Sequence, residues 1–197
     1  MFKTVGASAI VSYRDKFIFE IQKSDKWHIN SSGETRIGIG CIGGTIENGE
    51  TPIETLQREA LEEISTHIEI IEWEHPFTVT SDLNVYDVHP EKESRNLFFY
   101  WFGTKEPYKN CRICTYLGKA INNPLPNDLA GILVTDIQLL MESLENDLSL
   151  NQCLEKDMKI LSKEKIPLKA KIKAVGTVKT IKELYKNHIT RIQHLLK

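Results

Sequence analysis

Cysteine is scarce in this sequence: four among 197 residues, at Cys41, Cys111, Cys114 and Cys153. That excludes a disulfide-framework mini-protein, and a chain of this length buries enough apolar surface to fold without such staples. Proline and glycine are also few, seven and eleven, while hydrophobic residues are 41% and charged residues 26%. These values exclude a collagen-like repeat and wholesale disorder. No apolar run approaches the roughly 20 residues of a membrane helix. Residues 1–13 hold one lysine and a short apolar stretch. With no charged segment leading into a long apolar one, they read as a strand and not as a signal peptide. Reduced thiols, a cytoplasmic location and no membrane partner are the expectations.

What is present in excess is segregated charge. The net charge of −2 conceals 12 Lys and Arg against three acids in residues 156–197. The rest of the chain is acidic. Strand signals cover residues 5–12 and 17–22, joined by a polar turn, then residues 36–42, leading into Gly43-Gly44, where small residues permit a tight turn. Residues 51–66 give the strongest helix signal. Strands are expected at 68–80, 96–103 and 129–135, and irregular chain at 81–95 and, around Pro107, Pro124 and Pro126, at 104–128. Asp136 fits the cap of a helix reaching residue 145. Beyond 147 strand signals stop, and apolar residues recur at helical spacing from Leu150 to Leu161 and from Ile181 to Leu196. The expected organisation is an α/β domain over residues 1–146 and a basic helical extension over 147–197.

Chemistry is concentrated in residues 43–66, GGTIENGETPIETLQREALEEIST. Thr51-Pro52-Ile53-Glu54 is a capping box with Pro at the first helical position. At ~100° per residue, Glu62 stands at about 300° and Glu63 at about 40° from Glu59, so the three carboxylates share one arc. Ile53, Ala60 and Ile64 form the apolar stripe beside it. Clustered carboxylates repel one another and become favourable around a divalent cation. Oxygen ligands suit Mg²⁺ or Mn²⁺, and a metal so held suits work on a phosphate or pyrophosphate. Arg58 is expected to orient a carboxylate, Glu50 or Glu54. Taken alone, such an acidic run is a solvated helix face. The glycine loop at fixed spacing upstream changes that reading.

Gly44, five residues, Glu50, seven residues, Arg58-Glu59, two residues and Glu62-Glu63 resembles the signature box of the Nudix hydrolase family. Ser65 stands where that family usually has Gly, and Thr66 where it usually has an aliphatic residue. Ser65 costs little provided its backbone keeps a negative φ. The resemblance implies a Nudix fold, a mixed sheet between helices, with the box as loop–helix–loop. It implies Mg²⁺- or Mn²⁺-dependent hydrolysis of a nucleoside diphosphate linked to another moiety. Glu59, Glu62 and Glu63 would be metal ligands with the Gly44 carbonyl. Glu62 or Glu63 would help to activate water, and Arg58 completes the catalytic set. Markers of family subclasses do not match: Pro76 lies too near the box, Tyr86 too far, and Ile42 replaces the usual Pro.

Outside the box, Trp27 and Arg36 are candidates for stacking on a base and binding a phosphate. Phe98, Phe99 and Trp101 read first as strand packing residues. Glu91 and Glu93 are loop acids of the kind that can serve as a general base. Cys111 and Cys114 make half a zinc site, which His75 or His89 would complete only by accident of folding. The basic extension has three readings, in this order: helices packed on the body, a homodimer interface along Ile181, Tyr185, His188, Ile192 and Leu195, or an RNA-binding surface. The alternative to an enzyme is a non-catalytic nucleotide sensor or RNA-binding module that uses this tail.

Overall fold

In the computed structural model, residues 2–47, 49–87 and 96–196 are described. Two-residue alternation sets up the centre of the fold. Strand β1 (Lys3–Tyr13) sends Ala7, Ala9 and Val11 into one apolar core and Ile10 into another, on the opposite face. It turns at Arg14, with a left-handed φ of 57°, into β2 (Lys16–Ile21). There follow β3 (His28–Ile29), β4 (Thr35–Gly40), β5 (Ile42–Thr45), α1 (Pro52–Ile64), β6 (Ile68–Ile70), β7 (Phe77–Thr80), β8 (Val85–Asp87) and β9 (Leu97–Phe102). After them come β10 (Cys111–Ala120), β11 (Gly131–Thr135), α2 (Ile137–Glu145), α3 (Leu150–Leu154), β12 (Lys159–Ser162), β13 (Lys171–Ala174) and α4 (Gly176–Asn187).

The strands form one mixed sheet with the path β12-β11-β2-β1-β10-β9-β7-β8. Its axis is the parallel pair of β1 and β10, running from Lys3 opposite Cys111 to Ser12 opposite Lys119. On its other side β1 forks. Val11 to Tyr13 pair with β2, while Gly6 to Ala9 pair with β5, and β2 goes on to meet β4 through Glu20 opposite Gly40. Helix α1 covers one face, burying Leu56, Ala60 and Ile64 against Ala9 and Ile42. Helices α2, α3 and α4 cover the other, where Leu140, Leu150 and Ile181 join Phe98 and Phe99. This is the expected mixed sheet between helices. Among the described residues no helix is long and apolar enough to cross a membrane.

Several elements differ from the sequence expectation. Residues 104–128 contain a ten-residue central strand, β10. Its prolines lie on either side and none lies within it, so they punctuate the strand without breaking it. Residues 68–80 split into β6 and β7, and the segment 81–95 includes β8. In the apolar stripe of α1, Leu56 takes the place expected for Ile53, which is exposed. Asp136 sits at the start of α2 without capping it, because its carboxylate accepts from Lys16 Nζ at 2.8 Å.

The C-terminal extension is helical in α3, α4 and two 3₁₀ turns, and it also contributes two strands. β12 extends the sheet beyond β11, and β13 runs parallel to β4 with Lys171 opposite Arg36. Each is four residues long with lysines among few apolar positions, too short for a period of two to stand out. The expected heptad is not one helix, since α4 ends at Asn187. Ile181, Ile192 and Leu195 of that heptad are buried in the larger core. Asp147 fastens the extension. It accepts two bonds from Arg36, at 2.6 and 3.0 Å, and one from Lys171 at 2.6 Å, while Glu34 bridges the same two cations.

Ser65, at the end of α1, has a left-handed φ of 56°, not the negative value that would make it cheap there. Thr66 is buried like the aliphatic residue it replaces, and its hydroxyl accepts the Asn122 N–H at 3.0 Å. The left-handed region costs a non-glycine residue roughly 1–2 kcal/mol, part of which glycine returns as unfolded-state entropy. Ser65→Gly is therefore expected to stabilise the protein by about 1 kcal/mol in urea unfolding; an unchanged or lower midpoint would show that the serine is not strained.

Arg36 and Lys171 hold the Asp147 carboxyl at about 2, below its ordinary 3.8. A lowered folded-state value gives stability that is fully present above 3.8 and is lost as pH falls towards 2. Asp147→Asn should lower the melting temperature at pH 7, with the gap to wild type closing between about pH 4 and pH 2. A gap that stays constant across that range would mean that the charge of Asp147 is not what fastens the extension.

Candidate active site

The site begins where β5 lies against β1. Gly43 and Gly44 are strand residues opposite Ser8 and Ala7, not the tight turn expected of them. Glycine is required here by close approach. At Gly43, with φ 142°, a Cβ would lie 2.2 Å from the Ala7 carbonyl oxygen, and at Gly44 it would lie 2.0 Å from Glu59 Oε1. The missing side chain at Gly44 thus admits a carboxylate from α1 to the strand surface.

Helix α1 is fixed at its start by the expected capping box. Thr51 Oγ1 accepts the Glu54 N–H at 3.3 Å, and Glu54 Oε2 accepts the Thr51 N–H at 2.8 Å. Glu54 is used up in this way, leaving Glu50 as the partner of Arg58. The guanidinium donates to Glu50 at 2.9 and 3.2 Å, to Glu59 at 2.8 Å, to Glu62 at 3.2 Å and to the Thr45 carbonyl at 3.1 Å. Arg58, the Glu47 N–H and the Thr55 hydroxyl bring the Glu50 carboxyl down to about 2. The Glu59 side chain is 15% exposed and that of Glu62 54%, so one carboxylate faces the sheet and the other solvent.

Glu63 lies one turn further along, beside Glu59. Its Oε2 accepts the Gly43 N–H at 3.1 Å. Burial, then the charge of Glu20 and, less strongly, that of Glu59 push its carboxyl up to about 8, against the pull of the Gly43 bond. Glu20 is the residue that the sequence reading missed. It stands on β2 opposite Gly40, where a Cβ would lie 2.6 Å from Glu20 Oε2, and burial raises its carboxyl too. The available signal was its place in the alternation of β2, two residues from the buried Ile18 and so on the same face. A cavity of about 360 Å³ opens at the fork of the sheet, with Glu20, Gly43 and Gly44 in its lining.

Glu59, Glu62, Glu63, Arg58 and Gly44 are therefore brought together. Trp27 and Arg36 stand apart. The Trp27 indole donates to the Gln22 carbonyl at 2.7 Å, the Arg36 guanidinium is bonded to Asp147 and Glu34, and neither residue lines this cavity. Glu91, Glu93 and His89 lie outside the described residues. Cys111 and Cys114 are three apart on β10 and so on opposite faces of a strand.

Among the described residues no group of three or more His, Cys, Asp or Glu side chains is arranged to hold a metal ion. Arg58 already occupies Glu59 and Glu62 as their counter-cation. The donor set nevertheless fits a hard divalent ion. It consists of carboxylate oxygens, and the like charges of Glu20 and Glu59 that bear on Glu63 are of the kind a cation offsets.

The family model described as NUDIX domain matches residues 3–110, more than half of the chain. The chain belongs to the Nudix family. A Nudix-family hydrolase from Clostridium perfringens is 14% identical, with 68% of this chain and 82% of that one covered at a TM-score of 0.42. A Nudix hydrolase from Nitrosomonas europaea is 12% identical, with 96% and 75% covered at a TM-score of 0.41. A search of curated proteins finds no match.

The charge of Glu20 raises the Glu63 carboxyl, so Glu20→Gln should lower the Glu63 midpoint. Carboxyl-carbon NMR titration of glutamate-labelled protein reads this directly. An unmoved midpoint would assign the shift to burial alone.

Proposed function

We propose that this Nudix-family protein is a Mg²⁺- or Mn²⁺-dependent hydrolase that cleaves a pyrophosphate linkage in a nucleoside diphosphate joined to another moiety. The observation that supports it is the meeting of Glu59 and Glu63 on one face of α1 with Gly43 and Gly44, where a strand glycine gives a carboxylate room. Glu59, Glu62, Glu63 and the Gly44 carbonyl would hold the metal, which when bound neutralises the charge of the pyrophosphate and opens its phosphorus to attack by water.

The chain's own residues have separable tasks in this reading. Arg58 ties the loop carrying Thr45 and Glu50 to the helix carrying Glu59 and Glu62, so the acids keep their places before substrate arrives. Glu63, held by the Gly43 N–H at 3.1 Å beside Glu59, is placed to receive the proton lost by attacking water. The exposed Glu62, held by Arg58 at 3.2 Å, is left free on its solvent side to meet an incoming metal–substrate complex.

A product-detection screen with Mg²⁺ and Mn²⁺ tests this. It covers nucleoside triphosphates, ADP-ribose, nucleotide sugars, dinucleoside polyphosphates and 5′-triphosphorylated RNA. At least one compound should be hydrolysed, and Glu63→Gln should lower kcat by about a hundredfold or more, with Glu62→Gln also impaired. Full metal-dependent hydrolysis in both variants would overturn the site assignment. Silence of the folded wild type on every compound would favour a nucleotide sensor or RNA-binding module instead.

A further inference from the structure

Of the acids, Glu20 lines the cavity at the fork, and the lining runs on from it across the sheet. Thr45 on β5, Gly6 on β1, Ile113 on β10 and Trp101 on β9 are successive partners across four adjacent strands, and all line it. At about 4.8 Å per strand, this row is about 14 Å long. Its second position is a glycine, so beside Thr45 the floor is bare backbone, and the Ile113 side chain lies between that gap and the indole. Trp101 is only partly buried, and the ring of the exposed Tyr108 meets its edge at 6.1 Å and 77°. The volume, about 360 Å³, is within the roughly 300–1,000 Å³ of small-molecule sites.

The remaining wall comes from the C-terminal extension. Val175, Gly176 and Thr177, at the junction of β13 and α4, line the same cavity. Thr177 is locked there by a chain of hydroxyls, with its Oγ1 2.7 Å from Ser8 Oγ and Ser8 Oγ 3.1 Å from Thr115 Oγ1. Ser8 and Thr115 are buried, so the chain's outer end is Thr177, a fixed hydroxyl that can either donate or accept.

We infer that the C-terminal extension is a working wall of the substrate pocket, and that this pocket takes the planar base of a nucleotide against Trp101, with Thr177 reading its polar edge. The direction of the ligand, base at Trp101 and phosphates towards Glu59 and Glu63, rests on the pyrophosphohydrolase reading. The aromatic pair and the hydroxyl do not.

Calorimetric titration of the full chain with the four nucleoside 5′-monophosphates, and with ribose 5-phosphate as the ligand lacking a base, tests this without turnover. At least one nucleotide should bind tenfold or more tightly than ribose 5-phosphate. Trp101→Ala should abolish that advantage, since stacking of one base is worth roughly five- to a hundredfold, and Trp101→Phe should keep most of it. Thr177→Val, which preserves shape, should change the ranking of the bases. Equal binding of ribose 5-phosphate, no binding at all, or an advantage that survives in Trp101→Ala would overturn the base site. An unchanged ranking in Thr177→Val would remove the extension from recognition. Base-dependent binding without hydrolysis of any compound would leave this inference standing and remove the proposed activity.

Discussion

The site depends on one cation among four carboxylates. Without Arg58, Glu50, Glu59 and Glu62 would stand together on a loop and a helix with nothing to offset their repulsion, while Glu63 adds a further carboxyl behind them. Because the guanidinium is planar and forked, it bonds several oxygens at once and fixes directions as well as charge. Its bond to the Thr45 carbonyl extends that control to the end of β5, next to Gly44. A lysine would supply the charge without the geometry.

Arg58 offsets the outer acids and leaves the inner ones. Glu20 and Glu63 are both partly buried, the charge of Glu20 bears on Glu63, and Glu63 has one backbone N–H as its hydrogen-bond donor. Burying like charges in this way costs stability, and a fold keeps such an arrangement where the charge has a use. The sheet provides for it with glycines, at position 40 for Glu20 and at position 44 for Glu59.

What could be read in the sequence was local. The capping box and the acid spacing lie within a few turns of chain and are found where expected, and of the two acids open to Arg58 it is Glu50 that the guanidinium bonds. Non-local pairing was not legible. Glu20 acquires meaning only because β2 meets β4 and the fork of β1 leaves a gap beside it. β10 was hidden by flanking prolines, and β13 by its length and its lysines. Arg36 looked available for a phosphate because Asp147, its partner, is more than a hundred residues away. Ser65 shows the opposite case: the departure from the family pattern was visible, but its backbone angle was not.

The parallel pairing of β4 with β13 also bears on how the chain matures. Arg36 is synthesised early, and its sheet partner Lys171 late. Closing so long a stretch of chain is entropically slow, and contacts of this range form after local ones. While the polypeptide emerges from a ribosome, β4 therefore presents an open edge, the kind that other strands can join. The hydroxyl of Ser8 waits for Thr177 over the same interval. Helix α1 and its acids can be in place well before the wall opposite Trp101 exists, so in a half-made chain the cavity would stand open on the side that Val175 and Thr177 later close.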